Sequence, residues 1–127
     1  MSQEIQNSVM AYLKEEGFAP SIDEDGDIRF KKEGDLYYVI IDDKEDNPYY
    51  MSIALARGMD EGYNMQKAIS IAYEVQEYKG VKMKLYNTSI LTKSEMFFQD
   101  PKHFNAVFYR TTRILLAAMN EFCEKFF

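Results

Sequence analysis

One cysteine and one histidine in 127 residues leave the chain with almost no thiolate or imidazole for metal ligation or nucleophilic chemistry. Cys123 has no second cysteine with which to form an internal disulfide. Its pairing with His103 is excluded by geometry, since about 20 helical residues at 1.5 Å each would hold the two roughly 30 Å apart. The six glycines are scattered through turns instead of being gathered at a strand-to-helix junction. A phosphate-cradling loop, a dinucleotide fingerprint and a Gly-x-Ser-x-Gly elbow are therefore all missing. Cations are also in short supply, with 15 Lys and Arg against 21 Asp and Glu. The resulting charge of −6 has the wrong sign for a phosphate-backbone binder, and no nucleic-acid partner is expected. No apolar run approaches the roughly 18 residues that would cross a bilayer. The start, Met1-Ser2-Gln3-Glu4, has neither the basic patch nor the apolar block of a signal peptide, so the expectation is a cytoplasmic protein without a membrane partner.

What the chain does have is apolar and aromatic mass. Hydrophobic residues make up 46% and aromatic residues 15%, too much for a disordered segment. The length suits about one domain, and no linker or repeat divides residues 1–127. Ile5, Val9, Tyr12 and Leu13 recur at the spacing of one helical face, with Gly17 as a natural stop. Short extended runs follow. Asp25-Gly26 separates Ser21-Ile22-Asp23 from Ile28-Arg29-Phe30-Lys31, and Glu33-Gly34-Asp35 turns the chain into Leu36 to Ile41. That last run is apolar on both pleat faces, which predicts a central strand covered on both sides. Asp42 to Pro48 reads as a polar loop. Tyr49 to Ala56 is a further strand, with Met51, Ile53 and Leu55 on one face and Ser52, Ala54 and Ala56 on the other, the small face suited to a closely packed helix.

Asp60 or Asn64 caps a second helix that is expected to end near Gly80. Val81 to Leu85 alternates with lysines and returns through Asn87-Thr88-Ser89 into Ile90 to Phe98, whose register is ambiguous. Asp100-Pro101 then opens a helix of about 25 residues, or roughly 37 Å, whose apolar stripe is broader than one sheet face requires. Part of that stripe is expected to meet another chain. The order is α-β-β-β-(β)-α-β-β-α, an α+β domain with an antiparallel sheet of about five to six strands and helices packed on it.

Asp23-Glu24-Asp25-Gly26-Asp27 invites a calcium reading, but a calcium-binding loop of the helix-loop-helix kind needs glycine at position 6 and glutamate at position 12. Counting from Asp23, those positions are Ile28 and Gly34. A solvated hairpin turn is the plainer reading, and no metal or cofactor site is assigned. Lys82, Lys84 and Lys93 on the late hairpin, and Arg110 and Arg113 on the last helix, are read as solvated faces.

Ile22-Asp23-Glu24-Asp25-Gly26-Asp27-Ile28-Arg29-Phe30 leading into Tyr38-Val39-Ile40-Ile41, and Gly80-Val81-Lys82-Met83-Lys84-Leu85 leading into the long terminal helix, resemble the YbjN-like family. That family shares the fold of type III secretion chaperones. The resemblance implies a small, acidic, bacterial, non-enzymatic domain, often dimeric, in a stress or regulatory role or, like the chaperones, binding an extended client segment. It supplies no catalytic residue.

The reading is a non-catalytic protein- or peptide-binding module, chaperone-like or regulatory and homodimeric, with Tyr37, Tyr50, Met51 and Ile53 on strands and Tyr73 on the second helix as the partner-binding residues. The alternative is a small-molecule sensor or carrier in which sheet and long helix enclose an aromatic-lined pocket.

Overall fold

Ile5, Val9 and Leu13 bury one face of the first helix, α1 (Ser2–Glu15), and Gly17 ends it. Gly17 takes φ +95°, and the Phe18 N–H reaches back to the Leu13 carbonyl at 2.9 Å, a left-handed stop that glycine adopts without strain. The structure, a computed structural model, describes residues 2–42, 50–98 and 100–127. The polar loop expected up to Pro48 lies outside the described residues from position 43 on, as does Tyr49.

Six strands form one antiparallel sheet: β1 (Ser21–Ile22), β2 (Ile28–Lys32), β3 (Asp35–Asp42), β4 (Tyr50–Gly58), β5 (Lys82–Leu85) and β6 (Ser89–Phe97). Their order across the sheet is β1-β2-β3-β4-β6-β5, so β2, β3, β4 and β6 lie inside and two short strands form the edges. Glu33 and Gly34 both take positive φ, 54° and 86°, in the two-residue hairpin between β2 and β3, as the strand twist requires. The second helix, α2 (Met65–Val75), is capped by Asn64, whose side chain accepts from the Lys67 N–H at 3.0 Å. It stops at Val75, short of Gly80, because the Glu77 and Tyr78 N–H groups bond back three residues to Glu74 and Val75, tightening the chain into turns. The last helix, α3 (His103–Phe126), runs for 24 residues. Among the described residues, no helix is long and apolar enough to cross a membrane.

The three described helices all pack on one face of the sheet. That face carries Ile28 and Phe30, Tyr37 and Val39, Met51, Ile53 and Leu55, and Ile90, all at 2% exposure or less. Phe108 of α3 centres the core, with Tyr12, Phe18, Phe30 and Phe104 rings 5.3–5.7 Å away. Thr92 anchors β6 to the same helix through a hydrogen bond from its hydroxyl to the Leu115 carbonyl, 3.0 Å long. The broad stripe of α3 meets α1, α2, β4 and β6 together.

Two expectations are corrected here. Among the described residues β3 is covered by helices on one side, because Leu36, Tyr38 and Ile40 point away from all three described helices and stay half-exposed. Likewise no described helix packs on the small residues Ser52, Ala54 and Ala56, which share that uncovered face. The ambiguous register of the late strand is resolved by pairing of Ile53 with Ser94 and of Met83 with Thr92.

Candidate functional site

Alternation along β4 sends its bulky side chains into the core and its small ones, Ser52, Ala54 and Ala56, to the open face. The flanking strands do the reverse on that face, raising Leu36, Tyr38 and Ile40 from β3, and Leu91, Lys93 and Glu95 from β6. The consequence is a groove along β4. Its floor is out of reach of water although no described helix covers it: Ser52 is 1% exposed and Ala54 0%. The backbones of β3 and β6, two strand spacings apart, lie about 9.6 Å from each other, and nine residues of β4 extend for roughly 30 Å. At the Gly58 end the groove widens into an open depression of about 770 Å³ bordered by Lys31, Leu36, Tyr38, Ala56, Tyr86 and Leu91.

The other end is closed by a polar knot. Lys82 and Lys93 are direct cross-strand partners, a like-charge pairing that would be unfavourable alone. Glu95 resolves it, with Oε1 3.0 Å from the Lys82 Nζ and 3.5 Å from the Lys93 Nζ. The Tyr50 hydroxyl donates to the same carboxylate. That hydrogen bond, followed by the one from Lys82, holds the Glu95 carboxyl down at about 2. Burial, then the bond to Glu95, pushes the Tyr50 phenol up to about 12. The Tyr50 ring also leans on Phe97, centroids 5.2 Å apart, while Phe97 stays 73% exposed.

Charge is sorted in the same way. Arg29, Lys31, Lys82, Lys84 and Lys93 all fall on the open face, where the register also places Glu95 and Asp42. A chain of net charge −6 thus shows a cationic rim around an apolar trough.

Of the five residues assigned to partner binding from sequence, Tyr37, Met51 and Ile53 are corrected to core positions, at 1%, 0% and 0% exposure, where no partner reaches them. Tyr50 closes the groove. Tyr73 lies elsewhere, 80% exposed on α2 beside Ile69, one helical turn before it. The groove residues Leu36, Tyr38, Ile40, Ala54, Ala56 and Leu91 were not assigned. The signal for them is the adjacent pair Tyr37-Tyr38, which must split between faces, and the large-small alternation of β4.

Two further clusters carry chemically capable groups. The Asp23, Asp25 and Asp27 carboxylates lie within 4.8 Å of one another, but Asp23 Oδ1 already accepts from the Asp25 and Asp27 N–H groups at 2.9 and 3.0 Å, the bonding of a polar turn. Burial and then Asp23 raise the Asp27 carboxyl above its usual range. Cys123 is half-buried, 3.6 Å from an Arg57 nitrogen whose guanidinium is forked onto Asp35 at 3.1 and 3.2 Å. The Arg57 fork ties the ends of β3 and β4 together and leaves the thiol a packing role.

No family model and no curated protein sequence matches the chain. Among solved structures it is similar to the crystal structure of YbjN, a proposed transcription regulator from E. coli, at a TM-score of 0.62 over 91% of each chain and 11% sequence identity. At that identity the likeness is one of architecture. The chain has a YbjN-like α+β fold.

Proposed function

We propose that this chain is a non-catalytic module that binds a protein or peptide along its open sheet face, in a chaperone-like or regulatory role, and that it works as a pair of copies. The observation that carries the reading is the accessible apolar surface of that face: Leu36, Tyr38, Ile40, Ala56 and Leu91 stand half-exposed where no described helix covers them. An ordinary solvated face of an antiparallel sheet reads polar. Here Leu36, Ile40 and Leu91 stand where polar residues would cost nothing.

Docking across the face is favoured over addition of a strand at an edge. The edge strands are short, β1 with two residues and β5 with four, and β5 presents Lys82 and Lys84, features that discourage pairing. The depression at the Gly58 end is open to solvent, whereas a carrier encloses most of a small ligand, so a macromolecular partner fits it better than the small-molecule alternative. Pairing of two copies would use the exposed Ile69 and Tyr73 of α2, on the opposite side of the molecule from the groove. The regulatory role is supported by the likeness to YbjN, and the client-binding role by the resemblance to secretion chaperones; both come to this chain as proposals.

The test compares capture of proteins from the source cell's extract by the wild-type chain and by Ala56→Arg, which fills the groove from its floor while facing solvent. Loss of a specific client from a variant that melts at the wild-type temperature supports the reading. Equal capture by both overturns it.

A further inference from the structure

Cations surround the groove on both long sides, Arg29 and Lys31 on β2 and Lys82, Lys84 and Lys93 on β5 and β6, with the half-exposed apolar strip Leu36, Tyr38, Ala56 and Leu91 between them. We infer that the occupant of this face is an acidic amphipathic segment, apolar along the side that meets β4 and carboxylate-bearing along its flanks, and that Glu95 is an internal stand-in for one of its carboxylates. The inference rests on the proposed binding role of the groove and specifies the partner's chemistry.

Three observations converge. The first is complementarity: apolar floor and cationic rims match a segment with one apolar stripe and acidic borders, whereas the molecule as a whole, at −6, repels anions that lack such a fit. The second is dimension. The face runs roughly 30 Å along β4, the length of about 20 helical residues. The third is the knot at the Tyr50 end. One carboxylate, Glu95, engages Lys82, Lys93 and Tyr50 at once, which shows that this rim binds a carboxylate in the geometry available and that an incoming one must compete with it.

A single nucleic-acid strand is the competing anion, and the surface favours it less. Tyr38 and Tyr86 offer rings at the groove, but the walls are otherwise aliphatic at Leu36, Ile40 and Leu91, Tyr50 is held by Glu95 and Phe97, and the net charge of −6 opposes a phosphate backbone.

The experiment measures binding by fluorescence anisotropy of three labelled helical peptides of about 16 residues with the same leucine stripe, flanked by Glu, by Gln or by Lys, and of an oligothymidylate. The Glu peptide is expected to bind best and to weaken as salt rises from about 50 to about 300 mM. The double variant Arg29→Glu/Lys84→Glu, checked for an unchanged melting temperature, should weaken it roughly tenfold. Glu95→Gln, which frees two lysines, should tighten the Glu peptide by about threefold or more and leave the Gln peptide unchanged. Equal binding of Glu and Gln peptides, or weaker binding by Glu95→Gln, overturns the acidic specificity while the groove's binding role stands. If no peptide binds although the wild-type chain still captures a client that Ala56→Arg loses, the partner's chemistry is wrong and the site is right. Binding of the oligothymidylate alone overturns both.

Discussion

Tyr38 and Ala54 sit directly opposite one another on β3 and β4, on the face that no described helix covers, yet Ala54 is inaccessible to water while Tyr38 is half-exposed. A small residue sunk between larger neighbours on that face is what makes the groove, and the expected behaviour of the protein follows from it.

Enlarging the floor should separate stability from binding. Ala56→Val places a β-branched side chain on a central strand at a half-exposed site and is expected to raise stability by roughly 0.5 to 1 kcal/mol. The same methyl groups narrow the groove, so client capture should fall. Chemical denaturation alongside capture checks both, and a stabilised variant with undiminished capture contradicts the account.

Residues of β4 and α2 that look equally apolar in sequence should behave in opposite ways. Ile53→Ala removes packed volume from the centre of the core and should cost about 2 to 5 kcal/mol. Tyr73→Ala, at 80% exposure, should change monomer stability by no more than about 0.5 kcal/mol. If Ile69 and Tyr73 join two copies, Tyr73→Glu should shift the mass seen by light scattering toward that of a single chain.

Acid should expose the polar knot. Because Tyr50 and Lys82 hold the Glu95 carboxyl at about 2, below its ordinary 4.5, the folded chain binds that proton less readily than the unfolded chain. The contribution of Glu95 is therefore complete above about pH 4.5 and is lost as pH falls toward about 2. The stability gap between wild type and Glu95→Gln should shrink over that window, and a gap independent of pH contradicts the arrangement.

Alkali acts on the core in the other direction. Burial, then the nearby Asp35 charge, pushes the Tyr37 phenol up to about 12 from its ordinary 10. The folded state keeps that proton longer, so stability present below about pH 10 is lost as pH rises toward 12. Tyr37→Phe preserves the ring stacked on Phe30, with centroids 5.4 Å apart, and should flatten the decline. Denaturation midpoints measured across that range, with phenolate absorbance followed in parallel, decide it.

Much of the architecture is local and was legible. Gly17 as a helix stop, Asn64 as a cap, Asp25-Gly26 and Glu33-Gly34 as turns, and the alternation of Val81, Met83 and Leu85 each depend on neighbours in sequence, and together they yield the element order. The second helix end depended on turns after Val75 that no propensity marks. The faces of the sheet were harder. A run such as Leu36 to Ile41 shows two apolar faces, but whether both are covered depends on how many helices exist to cover them, and all three are used on one side. The surplus of aromatic and apolar residues on the strands points to Met51 and Ile53 as interface residues, and the small face of β4 points to a helix packed on Ser52, Ala54 and Ala56. Side-chain volume decides the matter the other way: Ser52, Ala54 and Ala56 cannot build a core around Phe108, and Met51, Ile53 and Leu55 can. The sequence groups Lys82, Lys84 and Lys93 on one hairpin, but their sharing a face with Arg29 and Lys31 is set only by the strand order across the sheet.

The most direct measurement is an NMR titration of alanine-methyl-labelled protein with the client recovered from its own cell extract. The account predicts that the Ala54 and Ala56 methyl signals shift on binding while that of Ala118, buried on α3, stays in place. Shifts confined to α2 or α3, with the Ala54 and Ala56 signals unmoved at saturation, would contradict it.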